Sequence, residues 1–198
     1  PKITPQPIKE EYLMTGLLEP TNDAYAIAKI AGLMMCQKYT KQYNFNCINV
    51  MPTNIYGIND NFDVNCGHVI PGLINKFVDA KINNKKSVSC WGDGSPTRDF
   101  LFSDDLADAC VFLMLNYNSP DIINVGGNME ITIRDLSEKI KKYVGIGGSI
   151  EWDTSKPNGT PRKALCSDKI MKLGWKPSID LDTGLKQTID WFSNGRNK

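Results

Sequence analysis

Apolar and polar positions along this chain follow two periods, and the switches between them predict its elements. Residues 20–44 carry Ala24, Ile27, Ala28, Ala31, Met34 and Met35 at helical spacing, behind a "PTND" stretch that supplies proline and cap-forming residues. Residues 47–51, "CINVM", are a short continuous apolar run, the pattern of a strand covered on both faces. "PTNIYGIND" then reads as loop. A helical pattern resumes over 68–81, with Pro71 in its first turn. Strand patterns follow at 87–91 and 98–102, separated by "GDGSPT". "SDDLADACVFLMLNY" sets acidic residues ahead of an apolar helical face at 103–117. A strand at 122–126, an amphipathic helix at 132–145 stopped by Gly145, a strand at 149–153, a short helix at 167–175 and a final helix at 181–192 complete the order.

Strands alternating with helices imply an α/β architecture with a mainly parallel sheet. The chain has no repeat, low-complexity tract or clear linker, so any second domain is interleaved with the first.

Composition changes this picture little. Hydrophobic residues make up 41% and charged residues 23% of 198 positions, enough apolar material for a globular core. The net charge of +1 offers no bulk attraction to nucleic acid or to an acidic membrane surface. The longest apolar run, at 111–115, is far too short to span a bilayer, so neither nucleic acid nor membrane is expected as partner. The six cysteines, at 36, 47, 66, 90, 110 and 166, form no Cys-x-x-Cys pair, and several sit inside apolar patterns. Buried free thiols are the expectation, with no metal site, in a reducing compartment such as the cytoplasm. The chain begins at Pro1 without an initiator Met, and Pro5 and Pro7 describe an extended lead-in, so it reads as a piece of a longer protein.

Tyr25 and Lys29 stand four apart in the first helix, one above the other. A lysine ammonium beside a phenol favours the phenolate, and a phenol so tuned can exchange a proton with a substrate oxygen. Spacing alone equally fits two exposed polar residues. Strand 47–51 leads into Pro52-Thr53-Asn54-Ile55, and in open α/β sheets ligands bind beyond the carboxyl ends of strands. His68, the one histidine, follows in the next loop, within reach of the same cleft or simply on the surface.

"PTNDAYAIAKIAG", "VMPTNIYG", "HVIPGLINKF", "WGDGSPTRDFLFSDDLADA", "INVG" and "KPNGTPRK" occur in an order and spacing that resembles the GDP-L-fucose synthase family of the extended short-chain dehydrogenase/reductases. The resemblance covers essentially the whole chain. It implies the C-terminal part of an NAD(P)-binding Rossmann-like fold, with 1–57 and 100–128 in the cofactor domain and 58–99 and 129–198 in an interleaved substrate domain. It implies NADPH-dependent 3,5-epimerisation and 4-reduction of a GDP-4-keto-6-deoxy sugar, by a homodimer. Tyr25 would protonate the C4 oxygen, and Lys29 would ease ionisation of that phenol and bond the nicotinamide ribose. Pro52, Thr53, Asn54 and Ile55 would line the nicotinamide end of NADP, with His68 near the same cofactor. His68 would be the acid/base at C3 and C5, whose C–H bonds the 4-keto group acidifies. Lys76, Trp91, Arg98, Asn158 and Lys163 would contact the GDP-sugar, arginine suiting phosphate by its forked donors.

Two departures accompany the resemblance. Position 158 is Asn where bacterial relatives are expected to carry Asp. The chain has no G-x-x-G-x-x-G or G-x-G-x-x-G stretch, so the strands and glycine-rich turn that hold the cofactor pyrophosphate are missing, and the isolated chain is expected to be inactive. Three alternatives stand beside an active enzyme for residues 68, 76, 91, 98, 158 and 163. They are a non-catalytic nucleotide-sugar-binding fragment, another extended reductase such as a 4-epimerase or 4,6-dehydratase, and plain structural roles, among them an Arg98–Asp99 ion pair.

Overall fold

The computed structural model describes residues 2–64 and 67–196. Of the positions singled out above, Pro1 and Cys66 lie outside them. After a 3₁₀ turn at Glu10–Tyr12, the order is α1 (Asp23–Tyr43), β1 (Asn49–Pro52), β2 (Asn54–Tyr56), α2 (Val69–Ile82), β3 (Ser87–Trp91), β4 (Thr97–Phe102) and α3 (Ser103–Asn116). Then follow β5 (Ile122–Val125), β6 (Glu130–Thr132), α4 (Ile133–Val144), β7 (Ser149–Asp153), β8 (Arg162–Lys163), α5 (Asp168–Lys172) and α6 (Leu181–Arg196). The fold is α/β, and every pairing between these strands is parallel except that of β4 with β6.

Partner switching explains where the loop reading of "PTNIYGIND" fails. β1 pairs with β5, and Thr53 N–H still donates to Val125 O at 2.9 Å. From Asn54 the chain pairs with β4 instead, so 54–56 is a second strand. Proline and asparagine at this junction imitate a loop because the strand gives up one neighbour and takes another. β4 also divides its partners: 97–99 face β6 and β8, and 100–102 face β2. β6 and β8 are too short to show a period in sequence, and they exist because β4 offers them backbone groups.

Side-chain alternation along β4 separates two cores. Phe100 and Phe102 join Ile74, Phe77, Leu136, Ile140, Leu185 and Ile189 beneath α2, α4 and α6. Leu101 points the other way, to Leu113, Ile123, Val125, Ile170 and Trp175. Helix α4 is capped as its sequence predicts. Thr132 Oγ1 accepts from Asp135 N–H at 3.0 Å, and Gly145 closes it at φ 76°.

Helix α1 departs from expectation in two ways. Asn22 takes the N-cap position but its side chain makes no cap bond, and no residue of α1 is buried. Its apolar residues spread around the helix, and the described residues cover only part of it. Gln37 Nε2 anchors it to Pro120 O at 3.1 Å, the carbonyl that also accepts from Asn49 Nδ2 at 2.8 Å. The described cysteines are free, as expected, but only Cys90 is buried and Cys36, Cys47, Cys110 and Cys166 are half-buried. They sit at the margins of the packed layers, where a small side chain fits partial cover.

Candidate functional site

A cavity of about 280 Å³ opens between the start of α2, the end of β3, the start of β4 and the loop before β8. His68, Lys76, Trp91, Arg98 and Asn158 line it, so five of the expected substrate and catalytic residues meet there. No described lining residue is an aspartate or glutamate.

The local sequence explains each placement. His68 is the N-cap residue of α2, extended at ψ 173°, and its carbonyl accepts Gly72 N–H at 3.0 Å. His68, Gly72 and Lys76 recur every four residues and therefore share one helix face. Lys76 Nζ donates to Ser89 O at 3.1 Å and stands 5.5 Å from the centre of the Trp91 ring. In β3, Val88 and Cys90 are buried while Ser89 and Trp91 face out, so strand alternation delivers Trp91 to the cavity, 58% exposed.

Half-buried Arg98 is held by Nη1, which donates to Thr97 O at 2.9 Å and Thr160 O at 2.7 Å. Burial lowers its pKa from the ordinary arginine value, but arginine stays cationic. Lys163 does not line the cavity. It is the β8 partner of Arg98, and burial together with the Arg98 charge lowers the pKa of its ammonium.

Asn158 Oδ1 accepts Asp93 N–H at 2.8 Å, closing the "GDG" turn. Hydrogen bonds from Ser95 and Asn158 hold the Asp93 carboxyl below the usual carboxylate range. Gly92 (φ 73°) is required twice over: its conformation is left-handed, and a Cβ there would overlap Asn158 Oδ1.

The remaining expected residues lie elsewhere. Tyr25 and Lys29 are both exposed on α1, with Lys29 Nζ 5.5 Å from the Tyr25 ring centre, and neither lines the cavity. Thr53 Oγ1 and Asn54 Nδ2 donate to Asp99 O at 3.1 and 2.8 Å, and Ile55 packs into the second core. Of the 52–55 segment only Pro52 is exposed. The Arg98–Asp99 ion pair does not form, because neighbouring residues on a strand point to opposite faces. Asp99 instead accepts Gly127 N–H at 3.1 Å and Met129 N–H at 3.4 Å. It is 1% exposed, and burial raises its pKa to about 6 against the pull of those bonds. The sequence reading offered Asp99 only as that ion-pair partner and missed its burial; the signal is an acid inside the apolar strand "RDFLF".

The fold is that of an α/β protein with a mainly parallel sheet, and comparison places it: residues 1–126 match the NAD dependent epimerase/dehydratase family, to which this chain belongs. Putative GDP-L-fucose synthase 2 of Arabidopsis thaliana is 54% identical over 192 residues, covering 97% of this chain and 58% of that protein. The crystal structure of a GDP-L-fucose synthetase from Naegleria fowleri bound to NADP superposes with a TM-score of 0.92 at 32% identity, covering 100% of this chain and 61% of that one. A GDP-6-OMe-4-keto-L-xylo-heptose reductase from C. jejuni gives 0.91 at 32%, covering 98% and 67%. The chain thus spans about three-fifths of the length of curated relatives it matches.

The residues present fit part of a nicotinamide cofactor. Lys29 and Tyr25 offer exposed donors on α1, and Pro52 is the last residue of the parallel β1–β5 pairing. The sequence has no G-x-x-G-x-x-G or G-x-G-x-x-G stretch for a pyrophosphate.

Proposed function

We propose that this chain carries the substrate site and the nicotinamide-side residues of a GDP-L-fucose synthase, working as a cytoplasmic homodimer. The enzyme converts GDP-4-keto-6-deoxy-D-mannose to GDP-L-fucose by 3,5-epimerisation and 4-reduction. Residues 1–57 and 100–128 belong to the cofactor domain in this reading, and 58–99 and 129–198 to the substrate domain. The carrying observation is the cavity itself, with Lys76, Arg98, His68 and Trp91 converging on a space without a described carboxylate. Such a lining favours an anionic ligand with an aromatic or sugar face.

Lys76 and Arg98 bind the diphosphate, with Lys163 adding positive charge beside Arg98. Trp91 packs on the sugar or base. His68 removes and returns the protons at C3 and C5. Tyr25 gives its proton to the C4 oxygen, and Lys29 stabilises the phenolate left behind. Lys29 and the 52–55 segment hold the nicotinamide end of NADPH, which supplies the hydride.

The test is turnover of GDP-4-keto-6-deoxymannose with NADPH by catalytically competent enzyme containing this chain, followed by product chromatography, together with calorimetry using GDP-mannose. GDP-L-fucose as product and GDP-mannose binding that Arg98→Ala weakens are expected. Preferential binding of UDP-sugars, or a 4-epimer as sole product, would overturn the assignment in favour of another extended reductase.

A further inference from the structure

The turn at 92–96 joins β3 to β4 and forms one wall of the cavity, where Gly94 and Pro96 stand with Trp91 and Asn158. Its backbone groups are taken up from several directions. Asn158 Oδ1 accepts Asp93 N–H at 2.8 Å. Arg134 Nη2 donates to the carbonyl of the same residue. Ile133 N–H donates to Pro96 O and Arg134 N–H to Gly94 O, both at 2.9 Å, so two free amides at the start of α4 close on this turn. The Arg134 guanidinium lies 4.9 Å from the centre of the Trp152 ring. That ring fills the space beside Gly94, where a Cβ would stand 2.6 Å from it.

Arg134 is exposed, does not line the cavity, and pairs with no carboxylate among the described residues. On the surface, one hydrogen bond and one ring contact add little to global stability. They do fix where the peptide of Asp93 sits, because the guanidinium is a planar fork with its donors in set directions.

We propose that Arg134 is a positioning residue for the ligand cavity, acting through the Asp93 backbone on Asn158. Arg134 grips the carbonyl of Asp93 and Asn158 grips its N–H, so the residue between them shifts only when one grip opens. With both closed, the Asn158 amide is held in one orientation at the cavity wall. Without Arg134 the turn relaxes, Asn158 loses its fixed partner, and Gly94, Pro96 and Asn158 no longer hold one shape. The role is preorganisation: Arg134 touches no ligand, and its loss leaves the turn to be ordered by the ligand on binding.

The experiment is a double-mutant cycle on the whole chain, read by calorimetry with GDP-mannose and by amide hydrogen exchange at Asp93. The proposal rests on the nucleotide-sugar reading for this probe. Arg134→Met keeps apolar contact with Trp152 and removes the donor. It should weaken binding about fivefold and lower the protection of the Asp93 amide. Asn158→Ala should weaken binding about tenfold, and the double variant also about tenfold rather than about fiftyfold, because either loss alone frees the turn. Lys76 bonds Ser89 O and not the turn, so the losses of Lys76→Met and Arg134→Met should multiply. Arg134→Lys keeps a donor and a cation over Trp152, and should restore affinity to within about twofold. Losses that multiply for Arg134→Met and Asn158→Ala would overturn the proposal, since that is the behaviour of a distant positive charge acting alone. Unchanged protection of the Asp93 amide in Arg134→Met would overturn it as well. If Arg134→Met does not fold, Arg134→Gln takes its place in the cycle under the same criteria. A wild type that binds no GDP-mannose defeats the nucleotide-sugar reading, and exchange at Asp93 still judges the grip of Arg134.

Discussion

Arg98 stands directly opposite Lys163 across the parallel pairing of β4 and β8, so a second cation stands beside the one that lines the cavity. Neither has an ion-pair partner in the described structure. Like charges held together by backbone pairing cost free energy that an anion returns on binding.

Arg98→Ala is therefore expected to weaken GDP-sugar binding by about 1.5–3 kcal/mol, the loss of a charged hydrogen bond. NADPH affinity should hardly move. Lys163→Met should weaken the same ligand less and leave the melting temperature unchanged or higher, because it removes a repulsion. Calorimetry and thermal melts on both variants check this; a Lys163→Met protein that melts lower with unaltered affinity contradicts it.

Tyr25→Phe is expected to cost roughly 100-fold or more in reduction rate in catalytically competent enzyme, the range of general acid catalysis. Tyr25 is 60% exposed on α1, so the melting temperature should not change. NADPH consumption at near-normal rate would remove Tyr25 from the mechanism.

His68→Gln should separate the two chemistries. The side chain is exposed at a helix start, and its backbone, not its ring, serves α2, so the fold should survive. Epimerisation should fail while direct reduction of the 4-keto group continues, giving a product with unchanged C3 or C5. NMR of the product decides, and a fully epimerised sugar at the normal rate argues against the role.

Asp99 sets a pH dependence opposite to that of most carboxylates. Folding raises its pKa to about 6, above the unfolded value of about 3.9, so the folded protein binds this proton more tightly. Its stabilising contribution is complete below the unfolded value and is lost as the pH rises through about 6. Burying the charge at neutral pH costs roughly 3 kcal/mol by that shift. Relative to Asp99→Asn, the wild type should therefore gain stability as the pH falls from about 7 to about 4. Urea denaturation of both proteins at several pH values measures the difference; parallel curves would show that Asp99 does not titrate as buried.

The α/β order and the helices over 68–81, 103–117 and 132–145 were legible along the chain, because one residue's neighbours at three and four places, or at two, already decide which face is apolar. The cavity residues were legible only through resemblance. Lys76, Trp91, Arg98 and Asn158 come from a helix, two strands and a loop, and nothing local marks them as neighbours.

Tertiary structure decided the rest. Local sequence reads 52–60 as loop, and β2 forms because β4 supplies its pairing groups after β5 has been left behind. The same pairing turns Asp99 from a candidate partner of Arg98 into a buried clamp on the opposite face. The sequence by itself determined which segments can be helix or strand and which residues carry charge, since those are properties of single residues and their near neighbours. Only the folded chain decided which carboxylate is dry, which cations are adjacent and which turn an amide closes. Burial and charge–charge energy depend on distances that chain order does not specify.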